Sequence, residues 1–171
     1  MKTLLTQNFF ERPTLTVAQE LLGKFLVRRN GDFETALMIC EVEAYDGFED
    51  RASHAYRGKT ARTRVMFGPA GRWYVYFVYG MYWMLNIVTG PADYPAAILI
   101  RAAGELDSPG KLTKKLGIDK NFNDKTALPK NGLWIEDRSD APSFTFRKTA
   151  RIGVAYAGAE WSKKPYRFVI N

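Results

Sequence analysis

The uncharged run that begins at Trp73 constrains this chain more than any other stretch. From Trp73 to Asn86 it reads WYVYFVYGMYWMLN, with no charge and one glycine near its middle. Alternation with period 2 sends Tyr74, Tyr76 and Val78 to one face and Trp73, Val75, Phe77 and Tyr79 to the other, so both faces are apolar or aromatic. Gly80 takes positive φ without penalty and is the natural point of reversal. Trp83 to Val88 would then return beside Tyr74 to Val78, leaving Tyr79 at or beside the tip of an aromatic hairpin. Core burial accounts for most of these side chains. A tip is seldom core, which sets Tyr79 apart. The uncharged run extends to Ala92, long enough to be weighed as a membrane helix. Its tyrosines, Asn86, the β-prone residues and the break at Thr89-Gly90-Pro91 argue against that.

With 171 residues, 46% of them hydrophobic, the chain can bury one good core, and a single domain over 1–171 is expected. Lys and Arg number 25 against 18 Asp and Glu, a net charge of +7, which suits nucleic acid or an anionic surface without choosing between them. Cys40 and His54 are the only residues of their types, so neither an intrachain disulfide nor a structural zinc site is expected. The apolar part of the N-terminus is too short for a signal peptide, and an intracellular protein is expected.

In chain order, Thr16 to Gln19 has the T-x-x-Q spacing of a capping box, with Gly23 placed to end a short helix. Lys24 to Arg29 and Phe33 to Tyr45 read as strands joined by a turn at Asn30-Gly31. In the second strand, Leu37, Ile39, Glu41, Glu43 and Tyr45 share a face, so two carboxylates replace apolar residues partway along it. A strand face emerging into solvent explains either glutamate alone. Tyr45, His54 and the cations Arg51, Arg57, Lys59, Arg62 and Arg64 follow closely, and that company suggests a site for an anionic substrate. Ala96 to Arg101 is an apolar strand ending in a cation. Pro109-Gly110-Lys111 opens a short helix whose N-terminus, with Lys111 beside it, suits one phosphate. Asp119 to Pro142 reads as loop around a short strand at Leu133 to Ile135, and Arg151 to Gly158 and Tyr166 to Ile170 read as closing strands.

Several stretches are together similar to the alkyladenine, or 3-methyladenine, DNA glycosylase family, and they run in the family's order over nearly the whole chain. They are CEVEAYDG (Cys40 to Gly47), SHAYRG with RTRVMF (Ser53 to Phe67), YVYFVYGMYWMLN (Tyr74 to Asn86), ILIRAAGEL (Ile98 to Leu106), SPGKL (Ser108 to Leu112) and RIGVAYAG (Arg151 to Gly158). Ser108 departs from the glycine expected to open a G-P-G-K-L run. The resemblance implies a mixed α/β (α+β) domain with a curved antiparallel sheet, surrounding short helices and a protruding hairpin that enters the DNA minor groove. It implies Tyr79 as the wedge, Tyr45 and Tyr76 as the rings that sandwich an extruded base, His54 as its hydrogen-bonding partner, and Asn86 as a wall against guanine. Glu43 resembles the general base, and Arg101 and the Ile152 carbonyl resemble the groups that hold the attacking water. Arg64 and Lys111 would meet the DNA backbone.

The implied activity is monofunctional: damaged purines of the 3-methyladenine, 7-methylguanine and hypoxanthine class leave double-stranded DNA by water attack, without cofactor, from a monomeric enzyme that initiates base excision repair. Two rivals use the same residues. A single-stranded nucleic-acid binder would use the basic charge and the aromatic platform. A carbohydrate hydrolase would pair Glu41 with Glu43, although residues two apart on one strand face the same side of a substrate.

Overall fold

The fold grows along one strand that is too long to keep the same neighbours from end to end. In the computed structural model, which describes residues 1–171, this strand, β3, spans Phe33–Asp46. Its first half pairs with β2 (Phe25–Asn30). Its second half pairs with β6 (Ala96–Ala103) on one edge and with β9 (Arg167–Ile170) on the other. The remaining strands are β1 (Lys2–Leu4), β4 (Trp73–Val78), β5 (Tyr82–Val88), β7 (Leu133–Arg138) and β8 (Phe146–Thr149). All nine join in the order β1-β7-β2-β3-β6-β5-β4, with β9 beside β3 and β8 beside β9. Every pairing is antiparallel. Four short helices, α1 (Gln7–Phe10), α2 (Thr14–Leu21), α3 (Pro109–Leu116) and α4 (Gly158–Lys163), complete the mixed α/β domain with the curved antiparallel sheet that the resemblance implied. No helix is long and apolar enough to cross a membrane.

Where β3 changes partners, its register against β6 shifts between Ile39 and Glu41 and again between Glu41 and Val42. A β-bulge of this kind swaps the faces of everything beyond it. Strict alternation expected Ile39 to share a face with Glu41 and Glu43. Instead Ile39, Val42 and Ala44 all lie in the main core, and Glu41, Glu43 and Tyr45 point the other way. The core beneath them is closed by Val17, Ala18 and Leu21 of α2 and by Leu112 and Leu116 of α3.

The aromatic hairpin forms as its sequence suggests. Val78 pairs with Tyr82, so the loop is Tyr79-Gly80-Met81, and both Tyr79 (φ 53°) and Gly80 (φ 66°) are left-handed. Trp73 and Val75 enter the main core, while Tyr74 belongs to a smaller cluster with Val65, Met66 and Phe67, against which Tyr76 packs. Tyr79 is 83% exposed.

Other expectations shift. Helix α2 starts at Thr14 after Pro13, with no side-chain cap, because Thr14 turns inward to accept a hydrogen bond from Thr89 (3.1 Å) and proline supplies the entry geometry. Thr16 and Gln19 therefore sit inside the helix. The β2–β3 turn is Gly31-Asp32, since Asn30 still pairs with Phe33. Arg101 is not at the end of its strand, which runs on to Ala103. Arg151 to Gly158 is no strand: it ends in a 3-10 turn leading into α4, and Gly153 and Gly158 are both at positive φ. Ser108, in place of the expected glycine, caps α3 by accepting from the Lys111 N–H (3.4 Å).

Stability should fall steeply from the root of the hairpin to its tip. Trp73→Ala is expected to cost about 3–5 kcal/mol. In Tyr79→Gly, relief of about 1–2 kcal/mol of left-handed strain is offset by glycine's roughly 0.5–1 kcal/mol of added chain entropy, so the net change stays within about 1 kcal/mol. Urea unfolding checks both, and a loss above about 2 kcal/mol for Tyr79→Gly would mean that its ring packs into the fold.

Candidate active site

The end of β3, the hairpin, β6 and the loops after Gly47 and Arg151 enclose a cavity of about 290 Å³. Glu43, Tyr45, His54, Tyr76, Tyr79, Asn86, Arg101 and Ile152, far apart in sequence, all line it. Arg64 and Lys111 do not. They stand on the surface, paired with Asp124 (3.2 Å) and Asp107 (2.8 Å) respectively.

Glu43 has no solvent exposure. A carboxylate so placed needs donors, and it has them from separate elements. The backbone N–H of Ile152 donates to Oε1 (2.7 Å), the Tyr45 hydroxyl donates to Oε2 (3.0 Å), and Arg101 Nη1 lies 3.4 Å from Oε2. Burial pushes the Glu43 pKa above the usual carboxylate value, while Arg101, the Ile152 N–H and Tyr45 hold it back. The carboxyl is thus a stronger base than an exposed one. The contact made by Ile152 is through its N–H, on a residue whose carbonyl was the expected functional group.

Glu41 is engaged elsewhere. Its Oε1 accepts from Arg101 Nε and Arg167 Nε, both at 2.7 Å, so it anchors the guanidinium that faces Glu43 and is unavailable as the second carboxylate of a glycoside-cleaving pair.

His54 opens a 3-10 turn (His54–Arg57) capped by Ser53. Its ring stands edge-on to Tyr76 (4.6 Å between centroids), and Nδ1 is 3.2 Å from the Tyr74 hydroxyl. Burial, with Arg62 nearby, lowers its pKa from 6.5 to about 4, so the imidazole is neutral near pH 7. Arg62 also lies over the ring of Tyr76, 5.0 Å from its centroid. The amide of Asn86 donates to the Tyr74 carbonyl (3.0 Å) and the Met84 carbonyl (3.4 Å), which fixes its side chain in the wall.

Sequence reasoning missed the buried pair that ties these segments together. Arg151 Nη1 and Nη2 meet Asp50 Oδ2 and Oδ1 at 2.6 and 2.8 Å, and both side chains are fully buried. Arg151 also donates to the carbonyls of Ala44 (2.8 Å) and Trp161 (3.4 Å). An Asp in a polar loop reads as solvated, and nothing in its neighbours marks it otherwise. Tyr156 was missed too. It lines the cavity and donates its hydroxyl hydrogen to the Ala52 carbonyl (2.7 Å), joining the two loops at the rim.

Aromatic walls, a buried carboxylate behind them and an exposed aromatic tip beside the opening are the parts needed by an enzyme that acts on a base drawn out of the duplex. The model of the methylpurine-DNA glycosylase family matches residues 8–108 and 105–171, and the chain belongs to that family. It is similar to a protein of Anaeromyxobacter dehalogenans, at 43% identity over 98% of this chain and 82% of the relative. One from Legionella pneumophila is 43% identical over 98% and 94%, and one from Methanocella arvoryzae 40% over 96% and 91%. Each carries the provisional name 3-methyladenine DNA glycosylase.

Since His54 is the only histidine, its ring signals can be followed by NMR without ambiguity. A midpoint of about 4 is expected, rising in Arg62→Ala but not to 6.5, because burial is the larger cause. The folded value lies below the unfolded one, so the unfolded chain takes up the proton first. The His54 contribution to stability is therefore intact above pH 6.5 and lost as pH falls towards about 4. A midpoint near 6.5 in the wild type would contradict this.

Proposed function

We propose that this DNA glycosylase excises 3-methyladenine and related alkylated or deaminated purines, 7-methylguanine and hypoxanthine among them, from double-stranded DNA as the first step of base excision repair. The observation that carries the reading is Glu43, a fully buried carboxylate on the cavity wall with its pKa raised by burial and its orientation fixed by donors on both oxygens.

Extrusion of a nucleotide costs a few kcal/mol of stacking and pairing. Tyr79, already exposed in a fixed left-handed turn, fills the gap it leaves. Tyr45 and Tyr76 hold the base between them, stacking on aromatic rings being worth about 1–3 kcal/mol per base. Neutral His54 hydrogen-bonds to it, and Asn86, locked by the hairpin backbone, crowds the exocyclic amino group of guanine. A water positioned by Arg101 and the Ile152 carbonyl attacks C1′. The new C1′–O bond forms as the glycosidic C–N bond breaks, its electron pair departs with the base, and Glu43 takes the proton of the water. The charge of Glu43 also stabilises the oxocarbenium character of the sugar. Purines alkylated at N3 or N7 are cations before cleavage and leave as neutral bases, which is why no second acid is required for them.

None of the lysines lines the cavity. That favours a monofunctional enzyme, which in this reading acts as a monomer, without cofactor, inside the cell. Arg64 and Lys111, both exposed, would exchange their carboxylate partners, Asp124 (which keeps Arg72) and Asp107, for DNA phosphates, since such surface pairs are worth only about 0–1 kcal/mol.

The test uses duplexes carrying one hypoxanthine or one methylated purine, incubated with wild type and Glu43→Gln and then cleaved with alkali. Base release by the wild type should drop roughly a hundredfold to ten-thousandfold in the variant while lesion binding persists. Binding of both duplexes with no base release by the wild type would refute it, as would a borohydride-trapped covalent adduct for the monofunctional route.

A further inference from the structure

We infer that Asp50 sets how well the pocket accepts a cationic base, by neutralising the guanidinium that Arg151 places behind Tyr45. The inference rests on the reading of Tyr45 as one of the rings that hold the extruded base. Arg151 Cζ lies over that ring, 4.8 Å from its centroid. Tyr45 lines the cavity and Arg151 does not, so the guanidinium backs the ring from the protein side.

A cation over one face of an aromatic ring is attracted by its electron density and repels a second cation on the opposite face. Alkylated purine nucleotides are such second cations. An unneutralised Arg151 would therefore select against the lesions that leave most readily. No solvent screens it, because both members of the pair are fully buried. Asp50 opposes it with both carboxylate oxygens, and is itself held in place by the backbone N–H groups of Asp46 and Ala52, each at 3.0 Å. The opposite ring differs: the cation over Tyr76, Arg62, is exposed, and water screens it.

Geometry explains why the guanidinium is there at all. It joins the Ala44 and Trp161 carbonyls and also lies 5.2 Å from the ring centroid of Tyr166, a set of contacts that no apolar side chain could make. Asp50 makes that brace compatible with a cationic guest, which makes it a specificity-determining residue that never touches substrate.

Single-turnover excision and Kd are measured on two duplexes of one sequence, one carrying cationic 7-methylguanine and the other neutral hypoxanthine. The proteins are wild type, Asp50→Asn, and the uncharged pair Asp50→Asn with Arg151→Gln. Asp50→Asn should weaken rate and affinity for the cationic lesion at least tenfold more than for the neutral one, and the uncharged pair should return the ratio to the wild-type value or above. Equal losses on both lesions in Asp50→Asn would reduce the residue to a structural part and overturn the inference. Should Asp50→Asn fail to fold, the uncharged pair decides, and a cation-to-neutral ratio below wild type overturns the inference. Absence of base release from either duplex by the wild type is a separate result, which removes the base-excision reading and this inference with it.

Discussion

A carboxylate buried away from bulk solvent at the wall of the cavity is the constraint on which the rest of this structure depends. Glu43 sits on a strand whose other face is main core, and burying its charge would be costly without partners. The partners come from β3 itself, from β6 and from the loop after Arg151, so these three segments must converge on one end of the sheet. Each carries a further requirement. Arg101 can face Glu43 because Glu41, which also accepts from Arg167, holds its charge from behind. The Ile152 N–H can reach Oε1 because the preceding residue, Arg151, is pinned to Asp50 and to the Ala44 carbonyl. The buried ions therefore form a chain of dependence from Glu43 back to Asp50, in which the placing of one group rests on the next, although Arg151 Nε is left without a hydrogen-bond partner. Such pairs add little net stability compared with apolar packing, and what they supply here is a defined geometry.

How much of this could be read from the sequence follows from which forces are local. The hairpin was legible because an uncharged aromatic run interrupted by one glycine leaves few other solutions, and its alternation survives intact in Trp73 and Val75 against Tyr74 and Tyr76. The long strand was legible in extent, but the face assignment of Ile39 was not, because a bulge is one residue of slippage fixed by a change of pairing partner across the sheet. The capping-box spacing at Thr16 misled for a similar reason: Pro13 and the buried contact of Thr14 with Thr89, 75 positions away, decide where α2 begins. Arg151 to Gly158 has a strand's composition, yet its N–H groups serve Glu43 and a tight turn instead of a ladder. Glu43, Tyr45 and His54 could be grouped from their closeness in sequence, the individual roles of the pocket residues came from resemblance to a family, and Asp50, Arg151 and Tyr156 are intelligible only once the distant segments they join are seen together.

The hairpin shows how one strand can do three jobs by distance from the core. At its root, Trp73 is fully buried and donates its indole N–H to the Leu133 carbonyl (3.2 Å), which fixes where the strand starts. One pleat further, Tyr74 and Tyr76 turn to the other face and become cavity wall. At the tip, Tyr79 is exposed and held in a left-handed conformation that tyrosine rarely adopts. Strain of this sort persists only where the surroundings enforce it, and here the Val78–Tyr82 pairing on either side leaves the three-residue loop little choice. If Tyr79 is the wedge we propose, a backbone fixed in that way loses less freedom on entering a duplex than one on a flexible loop, and part of that cost would be met when the protein folds. Rigidity at Trp73 and strain at Tyr79 are then two ends of one device, because a tip can be held in an unfavourable conformation only if the strands beneath it cannot move.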